Sequence, residues 1–170
     1  SDLKIYVGWD RIRLTAFVNM KLPCYICGSC FLVRKNMKRS KKMSVLRECA
    51  EKHYICRCFY EYDKSYWYYY ISDFNDKFVL GQEENDFELN GYTIRNFDEL
   101  QKAEIKNDVC EEINRLNGVA EQIKAPQIDI SSWQSIFNSL RECGEWAIVE
   151  NENEDIFHIG IILKAGKNKL

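Results

Sequence analysis

Proline occurs twice and glycine eight times in 170 residues. That scarcity excludes a Pro- or Gly-rich linker and a collagen-like repeat. Histidine occurs only at His53 and His158. His158 sits in an apolar run and reads as structural. No Gly-rich phosphate loop is present, and no Ser or Cys nucleophile has a visible partner. The chain is therefore expected to lack enzymatic activity. Long apolar runs are missing too. Residues 14–33 are fairly apolar, but Asn19, Lys21 and Pro23 interrupt them. A membrane helix needs about 20 clean apolar residues. No signal-peptide cleavage pattern is evident, so neither a membrane span nor export is expected.

What is present is a core-forming composition. Hydrophobic residues make up 46% and aromatics 14%, which excludes a disordered tail. Charge is strongly polarised along the chain. Residues 1–42 carry ten Lys/Arg and two Asp, a net of +8. Residues 43–170 carry fourteen Lys/Arg and twenty-four Asp/Glu, a net of −10. The basic part suits nucleic acid or an anionic membrane surface. The acidic part suits a basic protein surface.

The eight cysteines are Cys24, Cys27, Cys30, Cys49, Cys56, Cys58, Cys110 and Cys143. Without a signal peptide they read as reduced thiols in a cytoplasmic protein. Cys24-x-x-Cys27 could supply one edge of a tetrahedral structural zinc site. Cys56 and Cys58, or Cys49 with His53, would be the second edge. The alternative is that Cys56 and Cys58 pack inside a strand. No other cofactor is implied.

Periodicity places the elements. Leu3–Val7 and Ile12–Val18 read as strands joined by a turn at Gly8-Trp9-Asp10. Arg34 to Lys42 reads as a solvated charge run. Ser44 is the expected cap of a helix ending at Lys52. Then the period changes to two. Strands are expected at 54–62, 66–71, 77–82 and 92–95, the last introduced by Asn90-Gly91. Residues 98–106 are ambiguous between strand and helix. A helix over 107–117 would present Val109, Ile113 and Leu116 on one face. A second, capped by Ser131 or Ser132, would carry Trp133, Ile136, Phe137 and Leu140 and stop at Gly144. Glu145–Glu150 and Ile156–Leu163 would form a closing hairpin. A short helix leading into a hairpin thus occurs twice, at 44–83 and 131–163.

The stretch Asp73-Phe74-Asn75-Asp76-Lys77-Phe78-Val79-Leu80, with Asn90-Gly91-Tyr92-Thr93-Ile94-Arg95, resembles the Sm-like, SH3-type small barrels. So does Ser132-Trp133 through Phe157-His158-Ile159-Gly160-Ile161-Ile162. The likeness is to bacterial proteins with two such barrels in tandem, common among Gram-positive anaerobes, over residues 44–170. It implies an α+β, β-rich fold: one antiparallel small barrel, a second partial barrel or hairpin, and two short connecting helices. The implied divisions are 1–42, 43–107, 108–144 and 145–170. It also implies an RNA pocket using Asp73, Lys77 and Arg95. Lys77 replaces the Asn of the Sm pattern, Asn96 replaces the Gly of its Arg-Gly pair, and Trp67 stands where a strand Gly usually allows bending.

Residues 1–42 admit two readings. Lys38-Arg39-Ser40-Lys41-Lys42-Met43 can be spelled by codons holding a ribosome-binding site ahead of a start at Met43, which would make the segment translated leader. Otherwise it is the zinc-binding or nucleic-acid-binding part. For the body, the expected function is non-catalytic binding of a protein partner through an acidic and aromatic surface. Tyr60, Tyr62, Trp67, Tyr69, Glu83, Glu84, Asp86 and Glu88 are its candidates, since exposed Tyr and Trp favour interfaces. One concrete form is a phage-type, anti-CRISPR-like inhibitor whose carboxylates replace phosphates in a nuclease channel. The alternatives are an Sm-like RNA-binding module and a zinc-stabilised nucleic-acid binder. An open last strand would also invite oligomerisation.

Overall fold

The computed structural model describes residues 12–17, 36–124, 126–151 and 156–165. Cys24, Cys27 and Leu3–Val7 lie outside the described residues. The elements are β1 (Ile12–Phe17), α1 (Arg39–Lys52), β2 (Ile55–Tyr60), β3 (Trp67–Phe74), β4 (Phe78–Asn85) and β5 (Glu88–Asn96). A 3-10 turn at Phe97–Glu99 leads into β6 (Leu100–Ile105). Then follow α2 (Val109–Leu116), α3 (Trp133–Cys143), β7 (Trp146–Asn151) and β8 (Ile156–Ile161). The class is α+β and β-rich, as expected.

All strands pair antiparallel in one sheet, in the order β6-β2-β3-β4-β5-β1-β7-β8. Strands β2 to β5 form a meander, and β6 returns to pair with β2. No ladder joins β5 to β6 among the described residues, so the sheet is open. The closing hairpin β7–β8 is attached to the meander through β1, which pairs with β5 on one side and β7 on the other.

Side-chain alternation gives the sheet two cores. Val79 of β4 joins Leu46, Cys49, Cys56, Cys58, Tyr60, Tyr69 and Phe97 beneath α1. Its neighbours Phe78 and Leu80 face the other way, against Trp133, Ile136, Phe137 and Leu140 of α3. That explains the unbroken burial from Phe78 to Gln82. The caps of α3 are as the sequence implied. Ser132 accepts from the Ser135 amide, and Gly144 ends the helix at φ 68°, a conformation glycine adopts without strain.

Two local expectations are corrected and one ambiguity is settled. Helix α1 starts at Arg39, not at Ser44, and its N-cap Lys38 makes no side-chain cap bond. Long-range contacts extend it backward. Arg39 pairs with Asp98 at 2.8 Å, bonds the Asp76 carbonyl, and lies over the Phe97 ring. Lys42 is buried and donates to the Leu100 carbonyl. Secondly, Asn90-Gly91 is not the turn. The β4–β5 turn is Asp86-Phe87, at φ 50° and 64°, the left-handed pair that two-residue hairpins require. The Glu84 carboxylate accepts the Phe87 amide and fixes it there. Thirdly, residues 100–105 are strand.

Candidate functional site

The nominated aromatic and acidic residues do not share a surface. Tyr60 and Tyr69 are buried in the core beneath α1. Trp67 is half-buried and donates its indole N–H to Asp63 at 2.8 Å. Glu83 is half-buried opposite Tyr69, and Glu84 is buried. Tyr62, Asp86 and Glu88 are exposed.

The residues of the implied RNA pocket are also separated. Asp73 and Lys77 are exposed, with the Asp73 carboxylate accepting the Phe74 amide. Arg95 is only 1% exposed. Its guanidinium donates to Asp63 at 2.5 Å, lies 3.8 Å from the Tyr60 ring centroid, and stands 4.0 Å from a Glu99 oxygen. These contacts tie β5 to the turn after β2.

Cys56 and Cys58 point into the core, with their sulfurs 3.6 Å apart. The hydrogen bond with Cys56 and burial hold the Cys49 thiol well above its ordinary range. His53 is exposed at the C-cap of α1. Among the described residues, no group of three His, Cys, Asp or Glu could hold a metal ion. No described helix is long and apolar enough to cross a membrane.

Helix α2 docks by its polar side, the reverse of what periodicity implied. Asn114 is its buried residue, while Val109, Ile113 and Leu116 are exposed. Beneath it, Lys106 and Glu84, each 4% exposed, pair at 3.7 Å. The Lys106 ammonium lies 3.9 Å from the Tyr68 ring centroid. Among the described residues, neither side-chain amide atom of Asn114 has a hydrogen-bond partner. Burial, aided by Glu84 and Asp108 against Lys106 and Arg115, pushes the Glu111 carboxyl up to about 7. A carboxyl whose folded value is raised destabilises the fold as it ionises. Stability is therefore expected to fall as pH rises from 4.5 to about 7 and to stay lowered above. Glu111→Gln removes that fall and melts higher than the parent near pH 8, but not near pH 4. Urea midpoints across that range check it. A parallel pH dependence in both proteins would contradict it.

The closing hairpin carries the feature that sequence reasoning missed. Trp146, Phe157, Ile159 and Ile161 are exposed by 55, 58, 59 and 45%. The register sets Trp146 opposite Ile161, Ile148 opposite Ile159, and Glu150 opposite Phe157. All six side chains thus belong to one face of the β7–β8 ladder. The opposite face packs Ala147, Val149 and Ile162 on α3. Glu150 stands at one end of this face, and the sequence between β7 and β8 contains Glu152, Glu154 and Asp155. The available signal was the lack of polar alternation from Ile156 to Leu163. A strand apolar on both faces must cover both.

No family model matches the chain, and no curated protein or solved structure does either.

Proposed function

We propose that this chain is a non-catalytic protein-binding module whose contact surface is the apolar face of β7–β8, with Glu150 at one end. The observation that carries the reading is the exposure of Trp146, Phe157, Ile159 and Ile161 on one face. The fitting partner is a protein surface with an apolar centre and a basic rim. The net of −10 over residues 43–170 would steer such a partner in. The inhibitor of a nucleic-acid-binding nuclease remains the concrete form, with the carboxylates of 145–155 standing in for phosphates. On this reading the acidic and aromatic surface belongs to the hairpin rather than to residues 60–88. The RNA reading is weaker, because Arg95 is buried and engaged by Asp63.

The small-barrel reading of residues 39–105 belongs here as well. Its support is the order of elements: a helix, a four-strand meander, a 3-10 turn, and a fifth strand returning to the first. The module is then a small barrel extended by an added hairpin, and the hairpin binds.

The test is capture from the native host or a close relative with nuclease treatment, comparing three proteins. The parent is expected to retain a stoichiometric partner. Trp146→Ser with Phe157→Ser is expected to lose about nine-tenths or more of it, a change of at least about 1.4 kcal/mol. Leu116→Ser, which removes a still more exposed apolar residue elsewhere, is expected to keep it. Equal capture by all three would refute the reading. Loss of all capture on nuclease treatment would favour RNA.

A further inference from the structure

The two edges of the sheet are treated differently. The β6 edge is covered. The Met37 amide donates to the Gln101 carbonyl at 2.8 Å, Lys42 donates to the Leu100 carbonyl, and Lys102 and Glu104 form an ion pair on that strand. Among the described residues the β8 edge shows none of the usual protections. Its ladder with β7 runs from Ile156 to Ile161 without a register shift. No charged residue and no proline occur from Ile156 to Leu163. No strand pairs its outer side among the described residues. A straight, uncharged, apolar edge is a template for one more strand.

We propose that this edge pairs with the β8 edge of a second copy, antiparallel, about a two-fold axis at Ile159. The sequence of β8 is complementary to itself in that register. Ile159 meets its own symmetry mate, and Phe157 meets Ile161 of the second copy, all on the apolar face. On the other face, His158 meets Gly160 of the second copy. A Cβ added at Gly160 would meet nothing within 4 Å, so the imidazole has room. No like charges oppose one another along the paired strands. The contact is isologous and closes as a dimer. It uses the backbone edge and leaves the side-chain face available, doubled in width. It therefore goes beyond the binding function proposed above.

Full-length protein at about 50 μM is expected to be a dimer by sedimentation or light scattering. Gly160→Lys places a charged side chain where His158 of the second copy would sit, without touching the outer apolar face. It is expected to shift the dimer to monomer, weakening it about tenfold or more, with retained partner capture and, in samples dilute enough for both proteins to be monomers, an unchanged melting temperature. With Cys24, Cys27 and Cys30 and the exposed Cys110 and Cys143 changed to Ser, Ile159→Cys is expected to cross-link on mild oxidation. Ile161→Cys, facing Phe157 instead of itself, should cross-link much less. A monomeric parent would overturn the proposal, and so would a dimer that neither Gly160→Lys weakens nor Ile159→Cys traps. Either result would leave the partner-capture test of the apolar face standing on its own.

Discussion

Replacing Arg95 with Met is expected to destabilise the fold by about 3–5 kcal/mol, the usual consequence of stranding one half of a buried ion pair. The Asp63 side chain is only 9% exposed and accepts both the guanidinium and the Trp67 indole N–H. Without Arg95 its carboxylate is left with one neutral donor in a nearly dry site. The Tyr60 ring also loses the cation lying on it. Adding Asp63→Asn to Arg95→Met should recover much of the loss, because it removes the orphaned charge and keeps an oxygen for Trp67. Urea unfolding of the two singles and the double measures both the cost and the coupling. A single-variant cost under about 1 kcal/mol would mean that the pair is solvated and that Arg95 is free for other work. The same experiment separates a structural Arg95 from an RNA-contacting one, since a contact residue can be removed with little change in stability.

The legible parts of the fold were those governed by neighbours in sequence. The meander followed from period-two runs with breaks at 63–65 and 72–76, although β3 runs on through Asp73 and Phe74, where a turn was expected. Helix α3 followed from Ser132, its apolar stripe and Gly144. The illegible parts depend on groups far away in the chain. Nothing local to Arg39 or Lys42 announces a helix; their partners Asp98 and Leu100 lie more than fifty residues on. The position of β1 between β5 and β7 is set by pairing alone. Helix α2 misled for a further reason. Its apolar stripe is real, but the sheet offers it the Lys106–Glu84 pair, and its polar side docks there instead.

The candidate site divides along the same line. Tyr60 and Tyr69 are aromatic, but they share a sheet face with Cys58 and Val79, not with Arg57. The period-two pattern carries that information once a face is assigned, and Arg57, half-exposed on β2, assigns it. The β7–β8 face had one such marker, Glu150, half-buried on the same face as Trp146 and Ile148. The other residues of the face are apolar, so that single charge at the strand's end was easily outweighed. The placement of α3 on the Ala147–Val149 side decides which face remains exposed.

Gly81→Val is expected to cost about 3 kcal/mol, the upper part of the usual range for overpacking. A Cβ at position 81 would lie 2.8 Å from the Cβ of Tyr69 and 3.1 Å from its Cγ. These atoms are next to the β3 backbone, so rotation of the ring cannot relieve the clash. The β3 and β4 backbones would have to move apart where Ile71 and Gly81 stand opposite each other. Tyr69 is buried among Cys58, Tyr60 and Val79, so its displacement would also loosen the core beneath α1. Glycine inside a strand signals such a close approach, and here it lets a large aromatic side chain lie across the neighbouring strand. The matching control is Gly160→Val, on β8. An added Cβ there has open space around it, and valine favours strands over glycine. Its stability should be equal to or higher than the parent's. Equal losses at the two positions in thermal or urea unfolding would mean that strand flexibility, not the contact with Tyr69, is what Gly81 supplies.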